Sequence, residues 1–124
     1  MSIPKPFEIA KKESFKSDHH SHKLGACVLN KREIVSKGHN LLTKTHPMIR
    51  KYDSFKTIHA EMHAILRCPD KSKLIGATMV IYRQSRDGNL ALARPCTVCV
   101  RMLKDAGIKK MTYTTNGGWQ EEAL

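Results

Sequence analysis

The sequence predicts an α/β fold, a three-layer α/β/α sandwich on a mixed sheet of four to five strands, and three observations carry that expectation. Gly76-Ala77-Thr78-Met79-Val80-Ile81-Tyr82 is apolar on both sides, the mark of a central parallel or mixed strand covered on each face. Leu24 to Leu29 and Glu33 to Lys37 are shorter strand-like runs, joined through Asn30-Lys31-Arg32 as a hairpin. Three segments, residues 4–17, 59–67 and 95–106, have the apolar spacing of helices with one packing side. A sheet apolar on both faces needs helices on both. The first helix is expected on one face and the other two together on the opposite one.

Each element has its local reason. The first helix opens with Pro4 and Pro6 and presents Phe7, Ile9, Ala10 and Phe15 among lysines. Asp18-His19-His20-Ser21-His22 is a polar connection whose histidines lack the cysteine or carboxylate pair of a second metal site. Gly38-His39-Asn40 ends the second strand. Residues 41–58 read as a long irregular loop in which Lys44, Arg50, Lys51 and Lys56 interleave with Tyr52 and Phe55. Such a loop suits a single strand of nucleic acid, held by charge and stacking. Thr57 is placed as a helix N-cap, which puts His59 in the first turn, and Pro69 stops that helix. Asp87-Gly88 is a turn, Pro95 suits a first helical position, and Gly107 closes the helix that runs to Ala106. Lys110 to Thr114 is expected as the last strand, leaving an exposed edge with Trp119 to Leu124 as a short tail.

Composition narrows the class of protein. At 124 residues the chain (1–124) is expected to be one domain with a core of its own. It has no basic-then-apolar leader and no apolar run long enough to span a bilayer, so a membrane role is not expected and the setting is read as cytoplasmic. In that reducing setting the four cysteines are thiols, two as ligands and Cys27 and Cys68 as small buried side chains. The formal charge of +11 favours contact with phosphate, as free nucleotide or as polymer. The excess leans toward the first half, with twelve Lys and Arg against five Asp and Glu in residues 1–58.

Two short stretches carry the chemistry. His59-Ala60-Glu61 offers one imidazole and one carboxylate, and Pro95-Cys96-Thr97-Val98-Cys99 offers two thiols that a helix places on the same side. Alone, Cys-x-x-Cys also fits a redox pair or half of a structural zinc site. One His and two Cys suffice for a catalytic zinc, whose fourth position stays open for water, and Glu61 would then be left over to move protons.

His-x-Glu followed by Pro-Cys-x-x-Cys is the signature of the zinc nucleobase deaminases. The chain resembles the zinc-dependent cytidine/deoxycytidylate deaminase superfamily. The resemblance extends to Gly25-Ala26-Cys27-Val28-Leu29, Ser36-Lys37-Gly38-His39-Asn40 and Lys104 to Lys110, which fall where that family has its first strands and its last helix-to-strand turn. It implies a cytidine deaminase-like fold, one Zn2+ per chain on His59, Cys96 and Cys99, and Glu61 as the catalytic proton carrier. It also implies that Asn40 touches the sugar or base, that the backbone at Ala60 and Pro95 orients the base, and that residues 18–22 lie at the mouth of the site, where they would meet substrate or phosphate. In some deoxycytidylate deaminases the region of residues 41–58 brings extra metal ligands, but here it holds only His46 and no cysteine, so a single zinc is expected. The chain departs from the family directly before the Pro-Cys pair: many members place a glutamate or a serine there, and this chain has Arg94. With Arg83 and Arg86 it is expected near the site entrance as a phosphate contact.

The implied reaction is hydrolytic deamination of a cytosine nucleoside or nucleotide, deoxycytidylate-like, to the uracil form. The alternatives are a deaminase acting on cytosine or adenine in single-stranded DNA or RNA and, from another class, an inactive zinc-stabilised nucleic-acid-binding module. A homo-oligomer is expected from the exposed edge at the last strand.

Overall fold

The structure is a computed structural model that describes residues 3–19, 22–42, 47 and 58–124. Thr57, His20 and most of the loop expected over residues 41–58, with its basic and aromatic side chains and His46, lie outside the described residues. In chain order the elements are α1 (Lys5–Ser14), β1 (Leu24–Asn30), β2 (Glu33–His39), α2 (Ala60–Arg67), a 3-10 turn (Lys71–Leu74), β3 (Thr78–Arg83), α3 (Thr97–Ala106), β4 (Lys110–Thr115) and β5 (Gly118–Ala123). The strands form one mixed sheet in the order β2-β1-β3-β4-β5. β1 pairs antiparallel with β2 and β3, β3 runs parallel to β4, and β5 returns antiparallel.

The period-two alternation of each strand divides the core. Ala26, Val28, Met79, Ile81, Met111 and Tyr113 pack with Met62, Ala64 and Ile65 of α2 and Cys99, Met102 and Leu103 of α3. On the other face Cys27, Val80 and Tyr82 pack with Phe7 and Ala10 of α1. Three layers result, as expected. Met79, Ile81 and Leu103 are fully buried, each worth about 1.5–3 kcal/mol relative to an exposed position.

Two glycines let the helices approach the sheet backbone. A Cβ on Gly25 of β1 would lie 1.8 Å from the Ala10 carbonyl oxygen of α1, and one on Gly38 of β2 would lie 2.3 Å from the Ala64 amide nitrogen of α2. Their cross-strand neighbours are His39 and Ala26, so α1 and α2 rest on adjacent rungs of the β1–β2 ladder from opposite sides.

Several boundaries differ from the sequence reading. Lys110–Thr115 is not the last strand and not an edge. A turn through Asn116 and Gly117, the latter at φ 90°, brings Gly118–Ala123 back as β5, so β2 and β5 are the edges. β5 is half-buried to exposed along its length, with no buried position, so its sequence shows no alternation of apolar and polar residues. His59 is the N-cap of α2 and not part of its first turn, and Pro95 precedes the N-cap Cys96 instead of opening α3. β2 also continues through Gly38 and His39, which the sequence reading placed at its end.

Candidate metal centre and active site

His59 and Cys96 occupy equivalent positions. Both are N-caps with extended backbone, and their carbonyls accept the first helical hydrogen bonds, from His63 and Val100, each at 2.9 Å. Neither side chain caps its own helix. Both turn toward the space between the helix ends, where Cys99, three residues into α3 and fully buried, supplies a third donor. One donor atom from each of His59, Cys96 and Cys99 lies within 4.8 Å of the others, and His59 Nδ1 is 3.1 Å from Cys99 Sγ. Among the described residues this is the one group of three or more metal-capable side chains so gathered.

The donor set fits zinc. Tetrahedral Zn–S bonds of about 2.3 Å and Zn–N bonds of about 2.0–2.1 Å set ligand atoms roughly 3.3–3.8 Å apart, and donor atoms that all lie within 4.8 Å of one another, with His59 Nδ1 and Cys99 Sγ at 3.1 Å, need only small adjustments to meet it. Two helix N-termini converge on the cluster, and their positive ends favour thiolates. Hydrogen bonds from Cys99 and His59 push the Cys96 thiol down to about 4. Without metal, Cys99 keeps its proton, held up by its hydrogen bond to Cys96 and by burial. His59 is raised chiefly by its hydrogen bond to Cys96, against the opposing effect of burial, with Glu61 adding to the rise.

Glu61 stands beside the cluster as the fourth polar group. It is 4% exposed, and its Oε1 lies 3.8 Å from His59 Nδ1. Burial raises its pKa, opposed in part by a hydrogen bond with Cys99 and by the charge of His59. A carboxyl group tuned upward beside a metal-capable triad is suited to give and take protons.

The cluster opens into a cavity of about 340 Å3, at the small end of the range for ligand pockets. Of the eight residues predicted for the site, Asn40, His59, Ala60, Glu61, Arg94, Pro95 and Cys96 line it, and Cys99 lies behind them. Asn40 accepts the Leu24 amide proton on Oδ1 at 2.9 Å and donates through Nδ2 to the His22 carbonyl at 2.6 Å, tying the 18–22 connection to β1. Arg94 lies on the wall, but its guanidinium turns to β5, donating to both carboxylate oxygens of Glu122 at 2.7 and 3.1 Å. His63 stays outside the centre. It accepts the His39 amide proton and packs edge-on to the His39 ring, as a packing residue does.

Residues 3–115 match the family model of the cytidine and deoxycytidylate deaminase zinc-binding region. The chain belongs to this family. A search of curated protein sequences finds no match. Among solved structures, cytidine deaminase from Burkholderia pseudomallei superposes with a TM-score of 0.67 at 17% identity, over 99% of this chain and 93% of that one. Deoxycytidylate (dCMP) deaminase from the cyanophage S-TIM5 superposes in its apo form with a TM-score of 0.58 at 20% identity, over 87% of this chain and 78% of that one. The same phage enzyme in complex with dCMP and dUMP gives 0.55 at 21% identity, over 86% and 76%. At such identities the likeness establishes the shared fold, a cytidine deaminase-like sheet with helices on both faces. The family's zinc-binding region and the His59/Cys96/Cys99 triad agree on one zinc ion.

The sequence reading missed how far the site is braced from a distance. Glu122 and Tyr113 anchor Arg94, and Arg83 reaches His22 across the mouth. No local pattern signals either contact, because each joins elements far apart in the chain. No helix among the described residues is long and apolar enough to cross a membrane.

Proposed function

We propose that this deaminase-family domain hydrolyses the exocyclic amine of a cytosine nucleoside or nucleotide, deoxycytidylate-like, giving the uracil form and ammonia. The observation that carries the proposal is Glu61: a buried carboxyl group 3.8 Å from a donor atom of the triad, outside the ligand set, and facing the cavity. Zinc held by His59, Cys96 and Cys99 would supply water of lowered pKa, from about 15.7 toward about 7. Glu61 accepts the proton that water gives up and passes it to the ring nitrogen as oxygen adds at C4. It then carries a proton to the departing amine, so that one water is consumed and one ammonia released. The backbone at Ala60 and Pro95, with Asn40 beside them on the cavity wall, would orient base and sugar.

A cavity of about 340 Å3 has room for a single nucleoside or nucleotide, the substrate this reading puts ahead of cytosine or adenine in a polynucleotide. Glu61 also argues against an inactive zinc module, since a structural zinc is closed by a fourth protein ligand and has no use for a buried spare acid. Four free cysteines, two of them meant for metal, suit a reducing cytoplasm. A homo-oligomer belongs to the same reading. Its support is no longer the β4 edge but the β5 edge that takes its place, an exposed strand that a second copy would cover.

The test is metal analysis followed by ammonia release from a panel of cytosine and adenine nucleosides, nucleotides and oligonucleotides. One zinc per chain and turnover of a free cytosine compound are expected. Turnover confined to oligonucleotides, or none with zinc bound, would overturn the reading.

A further inference from the structure

The mouth of the cavity holds a contact that the deamination chemistry does not use. Arg83 ends β3 with its backbone pinned, its amide donating to Thr114 Oγ1 at 3.1 Å and its carbonyl accepting from Ala91 at 2.9 Å. Its guanidinium reaches outward, donating through Nη1 to the Leu92 carbonyl at 3.3 Å and through Nη2 to His22 Nδ1 at 2.7 Å. Its Nε is buried and has no hydrogen-bond partner among the described residues.

The Arg83–His22 contact settles a tautomer. A guanidinium can only donate, so His22 Nδ1 must be an acceptor, and the imidazole proton sits on Nε2. His22 is thus an N–H donor with a permanent positive charge directly behind it. Its segment is also held in place. The His22 carbonyl accepts from Asn40 at 2.6 Å, its amide donates to His19 Nδ1 at 3.0 Å, and Lys23 Nζ donates to the Ser17 carbonyl at 2.9 Å. The nearby carboxylate, Asp18, accepts the Leu42 amide proton on Oδ1 at 2.6 Å. His22 lines the same cavity as Glu61, but exposed where Glu61 is buried, so one chamber runs from the acid to this donor. Arg83 stands behind His22 and outside the cavity lining, and Arg94, the arginine that does line the wall, is paired with Glu122.

We infer that His22, backed by Arg83, is the phosphate subsite of this cavity, taking a phosphoryl oxygen of a mononucleotide whose cytosine lies against Glu61. The inference rests on the deaminase reading and narrows its substrate to the phosphorylated form. A donor polarised by an adjacent cation favours an anionic oxygen over a sugar hydroxyl, and a phosphomonoester, with more charge than a diester, is the better match.

The experiment compares deoxycytidine, its 5′-monophosphate and a trinucleotide with central cytosine and no terminal phosphate, by calorimetry on the zinc-loaded full chain. The monophosphate should bind at least about tenfold more tightly than the nucleoside, the scale of one charge-assisted hydrogen bond. His22→Phe and Arg83→Met should each collapse that ratio toward unity, with Arg83→Lys recovering part of it. Titration with inorganic phosphate should move the 15N-detected His22 Nε2 signal, a readout that needs no turnover. A wild-type ratio near one with clear nucleoside binding would overturn the subsite and leave the deaminase reading standing. A ratio preserved in both variants would place the phosphate elsewhere. Equal loss of trinucleotide and monophosphate affinity in His22→Phe would overturn the mononucleotide assignment. Absence of both binding and ammonia release for all three ligands would remove the deaminase reading and this one with it.

Discussion

Arg94 and Glu122 form a two-point ion pair, Nε to Oε2 at 2.7 Å and Nη2 to Oε1 at 3.1 Å, with the Tyr113 hydroxyl donating to the same carboxylate. The residue directly before the Pro-Cys pair is therefore held by the last strand of the sheet, and its charge is matched at the cavity wall. Glu122→Ala should release that charge to the cavity. Nucleotide affinity is expected to rise by roughly two- to fivefold at low ionic strength, with the gain vanishing in high salt. Binding that weakens, or is indifferent to salt, would show that the pair serves only to orient the loop.

Ligand and acid should separate in metal content. Glu61→Gln is expected to keep one zinc per chain and its fold yet lose activity by roughly 10²–10⁴-fold, the usual scale of general acid–base catalysis. Cys99→Ala should lose metal and thermal stability together, since a site assembled only in the folded chain couples binding to folding. Zinc measured by mass spectrometry alongside ammonia release decides between them. A folded, zinc-free Glu61→Gln protein would contradict this division of roles between ligand and acid.

Gly38→Ala should be destabilising although alanine is a small change. Its Cβ would stand 2.3 Å from the Ala64 amide and 2.7 Å from the Ala60 carbonyl oxygen, backbone atoms that can yield only if α2 lifts from β2. A loss of about 1–3 kcal/mol or more in urea unfolding is expected. Because Ala60 and Ala64 flank Glu61, the same variant should lower kcat. Gly88→Ala, whose Cβ meets nothing within 4 Å, should show only the left-handed backbone penalty of about 1–2 kcal/mol and near-normal activity.

Acid should destabilise the fold in two stages. Burial pushes His63 down to about 4 from its ordinary 6.5, with His39 and Arg67 adding to the effect. The unfolded chain therefore binds this proton first, so the contribution of neutral His63 is full above about pH 6.5 and is lost as pH falls toward 4. Glu13 of α1 is buried, which alone would raise its pKa, but hydrogen bonds from His39, Lys16 and Arg67 outweigh burial and hold it below 4.5. Its contribution is present above 4.5 and is lost as pH falls through the folded value. Urea midpoints measured from pH 8 to pH 3 should fall in both windows. His63→Gln should flatten the upper stage and Glu13→Gln the lower one; an unchanged upper stage in His63→Gln would assign it to another group.

How much of the fold and the site is legible in the sequence follows from what a local pattern records. The order of helices and strands, the β1–β2 hairpin, the central β3 and the division of helices between two faces are written in apolar periodicity, because burial on a face repeats with the element's own period. The donor types of the metal centre and the spare carboxylate are equally legible, since a ligand's chemistry belongs to its residue. β5 leaves no such trace, being largely exposed, and only its pairing with β4 reveals it. The N-cap positions of His59 and Cys96 depend on where backbone hydrogen bonding begins, which the helical spacing of the following residues does not mark to within one or two positions. The partners of the wall and mouth were decided by strand order alone. Arg94 meets Glu122 28 residues away and Arg83 meets His22 across 61, because β5 lies beside β4 and the end of β3 emerges next to the chain entering β1. A sequence names its donors and acceptors, but the distance between two of them exists only once the sheet has been assembled.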